Sequence, residues 1–240
     1  MILSNLKINL KYLVYVFMFI FVINFCLGEI VVFNNYETTI HLQDGKLHVI
    51  KELTLENVGS DPIIPGELHF KIHELKKGEK IPSEILNFNT INGRDQELDS
   101  RVIEGNTETD LVVSVWEPIL PKFSYKIFLT YDIVFEPKGF LFYEFNVPTE
   151  DTTIPIKKNQ NIVLIPSNYK VTFAKDASVS QVTKDDKKFS EVKWTNTGNM
   201  VLEYSKIPLP KTGVKAVNLF WSVIIILTIL ATFIIHKKLR

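Results

Sequence analysis

Over residues 123–135 an apolar side chain recurs at every second position: Phe123, Tyr125, Ile127, Leu129, Tyr131, Ile133 and Phe135, with Lys126, Thr130 and Asp132 on the intervening face. A period of two sorts side chains onto the two faces of an extended chain, so this stretch predicts a β-strand buried on one side. A second pattern surrounds Asp44-Gly45, a dipeptide suited to a two-residue hairpin turn. Counting outward from it, Leu42 faces Leu47 and Ile40 faces Val49, so the turn and the hydrophobic pattern specify the same register. Shorter runs predict strands over 30–34, 53–57, 68–73, 85–91, 111–116 and 140–147. Beyond the interruption at 148–155 they continue over 162–165, 169–173, 179–182, 192–194 and 200–204, and Asn92-Gly93 marks a second hairpin turn. Short strands punctuated by Pro and Gly, with no amphipathic helix among them, predict an all-β ectodomain of the sandwich class. Its length exceeds one typical sandwich, so two modules are expected, 29–137 and 138–208, parted near Glu136-Pro137-Lys138-Gly139.

The two ends differ from this interior. Lys7 and Lys11 precede an apolar run over 12–25 that closes at Cys26-Leu27-Gly28. Basic, apolar and small-residue regions in that order predict a signal peptide over 1–28, cut after Gly28. An uncleaved signal anchor is the alternative, since the run falls short of the ~20 residues a spanning helix needs. Near the other end, 216–235 is apolar apart from hydroxyls and the amide of Asn218. At ~1.5 Å per residue it spans about 30 Å, the thickness of the hydrocarbon layer. Trp221 lies near its outer end, and His236-Lys237-Lys238-Leu239-Arg240 forms a basic tail at 236–240. Positive-inside reasoning puts that tail in the cytoplasm. The expected topology is a signal, an outside domain, a stalk over 209–215 and a single span in the cell membrane, with lipid contacts along 216–235. Five residues hold no cytoplasmic output module, so any signal crossing the membrane is expected to pass through a partner.

Charge and cysteine sharpen this reading. The chain carries 27 basic and 27 acidic side chains, but six of the basic ones lie in the acid-free ends. The stretch 29–213 therefore holds 21 basic against 27 acidic side chains, a net of −6, which argues against nucleic-acid binding. Cys26 is the only cysteine and sits inside the signal, so the mature domain forms no disulfide. No Asn-x-Ser/Thr sequon occurs over 29–213. Both absences favour an archaeal or Gram-positive type of cell surface.

The layout of Tyr36, Asp44-Gly45, Leu53, Leu55 and Asn57 resembles the start of the immunoglobulin-like or fibronectin-like outer domains of archaeal membrane-anchored proteins, although the Cys, Trp, Cys pattern of antibody domains is lacking. Leu209-Pro210-Lys211-Thr212-Gly213, followed by the apolar span and basic tail, resembles the sorting signal of sortase-anchored proteins. That resemblance implies attack by a transpeptidase thiolate on the Thr212 carbonyl, release of Gly213 with the anchor, and a cell-wall location. Val214 stands where such signals carry an acidic residue, the basic Lys215 is also atypical of them, and the span is long enough to be a permanent anchor.

Candidate chemistry is sparse. In the Asp44-Gly45 register His41 and His48 are directly opposite, close enough to share a zinc or copper ion, with a solvated cross-strand pair as the alternative. His69 and His73 are four apart, about 13 Å along a strand, and so do not form a helical ligand pair. Lys184-Asp185-Asp186-Lys187-Lys188 reads as a solvated hairpin end, Glu150-Asp151-Thr152-Thr153 as an ordinary loop, and Trp116 as a core residue. No nucleophile elbow or phosphate-cradling loop is present, so neither catalytic residues nor a cofactor are expected, and the protein reads as a non-enzyme. The leading expectation is a structural or interaction protein whose sandwich binds another envelope protein, a glycan or the cell wall. The alternatives are a sortase-processed adhesin and an accessory subunit of a membrane enzyme, transporter or secretion complex.

Overall fold

A computed structural model describes residues 30–43, 45–76, 78–137, 139, 141–195, 200–207 and 214–238. The signal segment 1–28 and the pentapeptide 209–213 lie outside the described residues. The first half of the chain forms β1 (Val31–Gln43), β2 (Lys46–Asn57), β3 (Gly66–Lys76), β4 (Glu79–Pro82), β5 (Ile85–Asn92), β6 (Ser100–Glu104), β7 (Thr109–Val115) and β8 (Ser124–Val134). The second half forms β9 (Phe142–Asn146), β10 (Thr149–Asp151), β11 (Asn159–Pro166), β12 (Lys170–Ala174), β13 (Ser178–Lys184), β14 (Lys187–Trp194) and β15 (Val201–Ser205). The helix α1 (Ala216–Lys238) follows.

The hairpin register read from sequence around Asp44-Gly45 is the one observed, whereas Asn92-Gly93 opens only a short turn closed by the Ile91↔Glu97 bridge, and β5 pairs with β8 rather than with the strand that follows it. Ile40 pairs with Val49 and Leu42 with Leu47, and Gly45 takes the positive φ of +77° that the turn requires. At the β13–β14 turn Lys184 pairs with Lys187, with Asp185 and Asp186 at φ 49° and 59° between them. The strand expected over 123–135 is β8, whose Ile127, Leu129, Tyr131 and Ile133 are buried on one face, whereas Phe123 precedes the strand and is exposed.

A seven-stranded sheet runs β13-β14-β11-β1-β2-β8-β5. A second sheet, β10-β3-β7-β6 with β4 on β3, packs over part of it. Phe33 of β1 meets Phe70 of β3 with ring centroids 6.1 Å apart, at the centre of one hydrophobic core shared by both sheets. A three-stranded sheet, β12-β15-β9, adds Phe145, Val171, Leu202 and Tyr204 to that core.

The sheet order corrects the division into modules 29–137 and 138–208. β11 pairs in parallel with β1 from Tyr36↔Asn159 to His41↔Leu164, so the large sheet draws strands from both sides of the expected boundary. The reason lies in β11 itself, where Asn161 to Ile165 are all buried. A strand buried on both faces belongs inside a sheet, and here its neighbours are β1 and β14. β4, β6 and β10 were not expected; each is five residues or fewer and lies at a sheet margin.

The helix α1 is apolar on every side, and Ala216–His236 is long and apolar enough to cross a membrane. Ser222, Thr228 and Thr232 donate their hydroxyls to the carbonyls of Asn218, Ile224 and Thr228, so these polar groups are satisfied within the helix.

Candidate functional site

Three features of the domain go beyond packing, and they occupy different places. The first is inside the core. Along β2 the inward positions are Leu47, Val49, Lys51, Leu53 and Leu55, so a lysine takes a core position in an otherwise apolar series. Lys51 is 2% exposed and ion-pairs with Glu150 of β10, while the Tyr36 hydroxyl donates to the same carboxylate. The ammonium also lies 5.2 Å from the Tyr36 ring centre and 5.9 Å from that of Tyr131. Burial disfavours charge, drawing the Lys51 pKa down to about 7 and pushing both tyrosines well above the usual phenol value. A neutral amine is a competent nucleophile, but the adjoining cavity measures about 70 Å³. That holds a few waters, far below the ~300 Å³ of a small ligand pocket. The pair therefore ties the large sheet to an edge strand of the second sheet, and the segment Glu150-Asp151-Thr152-Thr153 is not an ordinary loop: its first two residues complete β10.

The second feature joins the domain to α1. Glu203 of β15 is 1% exposed, and its carboxylate accepts N–H bonds from Ala216 at 2.6 Å and Val217 at 3.2 Å. Thr172 of β12 donates to it at 2.6 Å. A carboxylate here satisfies N–H groups that the first helical turn leaves unpaired and meets the positive end of the helix dipole. Lys215 pairs with Glu144 of β9 at 2.7 Å, and Phe142 meets Phe220 with ring centroids 5.8 Å apart. Val217 borders a cleft of about 730 Å³ shared with Val134, Glu84 and Lys76, so α1 starts at the end of the sandwich where β8 finishes.

The third feature is the opposite end. There Ile30, Val58, Ile64, Trp116, Leu120 and Phe123 all project into solvent, with Trp116 65% and Phe123 63% exposed. Trp116 is therefore not a core residue: β7 ends at Val115, and the indole lies over Gly66. The loops that carry these side chains are stitched together. Asn57 donates its side-chain amide to the carbonyls of Asp61 and Ile119, both at 2.8 Å, and accepts from the Gly59 N–H at 2.9 Å. Ile63 and Ile119 exchange backbone bonds of 2.8 and 3.1 Å, and Lys122 donates to the Asn57 carbonyl at 2.8 Å. The eleven residues of β8 separate this end from the start of α1, which at ~3.3 Å per residue is about 33 Å.

Of the residues singled out from sequence, His41 and His48 do stand opposite each other, with ring centroids 6.2 Å apart. His48 Nδ1 is engaged by Asp132 at 2.7 Å, and His41 meets the edge of Phe189. Burial, then His48 and Lys184, lower the His41 pKa. Asp132 also binds Lys46 at 2.8 Å and Asn87 at 2.9 Å; these bonds, the one from Lys46 foremost, hold its carboxyl below the usual range. Glu203, Lys51 and Phe123 were missed as functional candidates. Lys51 was visible as the one charged residue in the inward register of β2; Glu203 carried no signal, because its partner is backbone 13 residues on.

No family model and no curated protein matches the chain. Among solved structures it is similar to an M1 zinc metallopeptidase from Deinococcus radiodurans, at 11% identity and a TM-score of 0.46 over 74% of this chain and 43% of that one. It is also similar to a protein provisionally named as nutrient-binding from Legionella pneumophila, at 9% identity and a TM-score of 0.47 over 74% and 67% of the two chains. The chain thus spans less than half of the peptidase, and likenesses at this level carry no functional argument.

Proposed function

We propose that this protein is a single-pass surface protein whose β domain stands on the outer face of the cell membrane and captures another envelope protein with its apolar tip. The observation that carries this reading is the opposition of the two ends: Glu203 holds the start of α1, while six large apolar side chains are exposed about 33 Å away. Exposed apolar surface on an ordered scaffold marks an interaction site, and aromatic anchors such as Trp116 and Phe123 suit a protein partner. Aliphatic Ile30, Val58, Ile64 and Leu120 offer no hydrogen bonds to a glycan. An accessory subunit of a larger membrane complex is one form of the same reading.

Cleavage of the signal fits this geometry. Residue 30 starts at the tip, where Val58 donates its N–H to the Ile30 carbonyl. Residues 26–29 reach at most about 14 Å, so a retained anchor over 12–25 would lay the domain on its side. The contacts of Glu203 and Lys215 at the start of α1 likewise favour a retained C-terminal anchor over sortase transfer. Intact mass decides the latter: a chain ending at Arg240 is expected, and one ending at Thr212 removes it.

The tip is tested with Leu120→Cys, which leaves a single thiol in the mature chain, and a thiol-directed cross-linker on intact cells. One discrete adduct with a second envelope protein is expected, lost when Trp116→Ser and Phe123→Ser are added. An adduct only with a second copy, or none while the chain runs as a monomer in mild detergent, rejects the reading.

A further inference from the structure

Among the described residues His73 is the one buried histidine. It lies on β3 with Lys71, on the face turned away from the core, yet it is only 2% exposed and its Nδ1 has no hydrogen-bond partner. A buried polar atom without a partner is uncommon in a folded protein. Among the described residues only two other buried side-chain atoms share that condition, Ser83 Oγ and Asp110 Oδ1. All three belong to one junction. His73 pairs with Pro82, next to Ser83; Asp110 pairs with Lys71; and Thr109 donates its hydroxyl to the Ser83 carbonyl at 2.6 Å.

Two carboxylates converge on the same place. Glu108 precedes β7, and Asp151 ends β10, which pairs with β3. One ligand atom each from His73, Glu108 and Asp151 lie within 4.8 Å of one another, and His73 Nδ1 is 3.9 Å from Asp151 Oδ2. That separation is too long for a hydrogen bond but suits two atoms that share a third between them. The carboxylates are now balanced by Lys71 on Glu108 at 2.7 Å and Lys80 on Asp151 at 2.9 Å. Both lysines are nearly half exposed and can swing into water. A divalent cation carries the same charge as the two ammonium groups it would displace.

We propose that His73, Glu108 and Asp151 form a binding site for a divalent first-row transition metal, zinc foremost. One imidazole nitrogen and two carboxylate oxygens form a mixed donor set that zinc accepts in a four-coordinate site, leaving one position for water. The imidazole selects against magnesium and calcium, which prefer oxygen alone. The ion would fasten β10 to β3 from outside, on the reverse side of the strand whose Glu150 meets Lys51 within the core. This site is separate from the apolar tip and does not depend on the function proposed for it.

The test uses the full chain in detergent, stripped with a chelator and titrated with zinc chloride, with magnesium and calcium chlorides as comparators. Zinc is expected to raise the midpoint of thermal unfolding and to bind one per chain, with no response to the other two. Glu108→Gln with Asp151→Asn should weaken that binding at least roughly tenfold. These two residues are chosen because they are more exposed than His73, whose removal alone can disturb folding. Lys71→Ala should tighten binding, because a competing cation is gone. His41→Ala with His48→Ala should leave it unchanged. No zinc response, or one that survives the carboxylate variants, or one lost only with His41 and His48, overturns the proposal.

Discussion

The carboxylate of Glu203 accepts the backbone N–H of Ala216 at 2.6 Å, joining a buried strand residue to the first residue of the apolar helix α1. Such a bond ends the free rotation that a ten-residue linker would otherwise allow. Together with the Lys215–Glu144 ion pair it fixes where α1 begins, against β15 and β9.

Removing that bond should free the connection without unfolding the core. Glu203→Ala strands the N–H groups of Ala216 and Val217 and the Thr172 hydroxyl, a loss of about 1–2 kcal/mol by analogy with helix caps. Limited proteolysis should then cut within 206–215 several-fold faster, while the remaining domain stays resistant. Glu203→Gln keeps an acceptor and should fall between the two. Equal cleavage of all three forms would show that the carboxylate does not restrain the helix.

The buried pair of Lys51 and Glu150 predicts a pH dependence. With a folded pKa of about 7 against an ordinary 10.5, the unfolded chain holds a proton at pH 8–9 that the folded chain has released. Stability therefore rises with pH from about 7 toward 10, by at most about 1.4 kcal/mol per unit from this group. Above pH 10 the buried Tyr36 and Tyr131 act in reverse, since only the unfolded chain then loses their protons. Below pH 7, where the amine is charged, Lys51→Met alone leaves Glu150 without its cation and should cost about 3 kcal/mol, whereas Lys51→Met with Glu150→Gln should recover most of it. In that double variant the thermal midpoint should change less between pH 7 and 9.5 than in the natural chain. An identical slope would mean that the amine stays protonated in the fold.

Glycine positions separate strain from collision. At Gly139 φ is +127°, and a Cβ there would overlap the Phe142 carbonyl oxygen, so Gly139→Ala should cost more than about 2 kcal/mol. At Gly45 φ is +77° with open space around it, and Gly45→Ala should cost about 1 kcal/mol. Denaturant midpoints of the two variants give the comparison directly. A smaller loss at Gly139 than at Gly45 would contradict the close approach of the Phe142 carbonyl to Gly139.

Most strands were legible because one face of each is dry. Ile127, Leu129, Tyr131 and Ile133 advertise β8 through their spacing alone, and Asp44-Gly45 announces both a turn and its register. The partners of an edge were not legible. The parallel pairing of β1 with β11 joins residues more than a hundred positions apart, and no local pattern encodes it. Trp116 was misassigned because an aromatic after an apolar strand looks the same whether the chain continues inward or turns out at the tip.

The sequence by itself determined the strand faces, two hairpins and an apolar helix at 216–235, since each follows from the periodicity of a few neighbouring side chains and the dimensions of a bilayer. Tertiary structure alone decided that one sheet spans both halves, that Lys51 meets Glu150, that Glu203 holds the helix, and that His73 faces two carboxylates. Those relations depend on which distant strands share hydrogen bonds, and that choice is made by burying the whole core at once rather than by any segment alone.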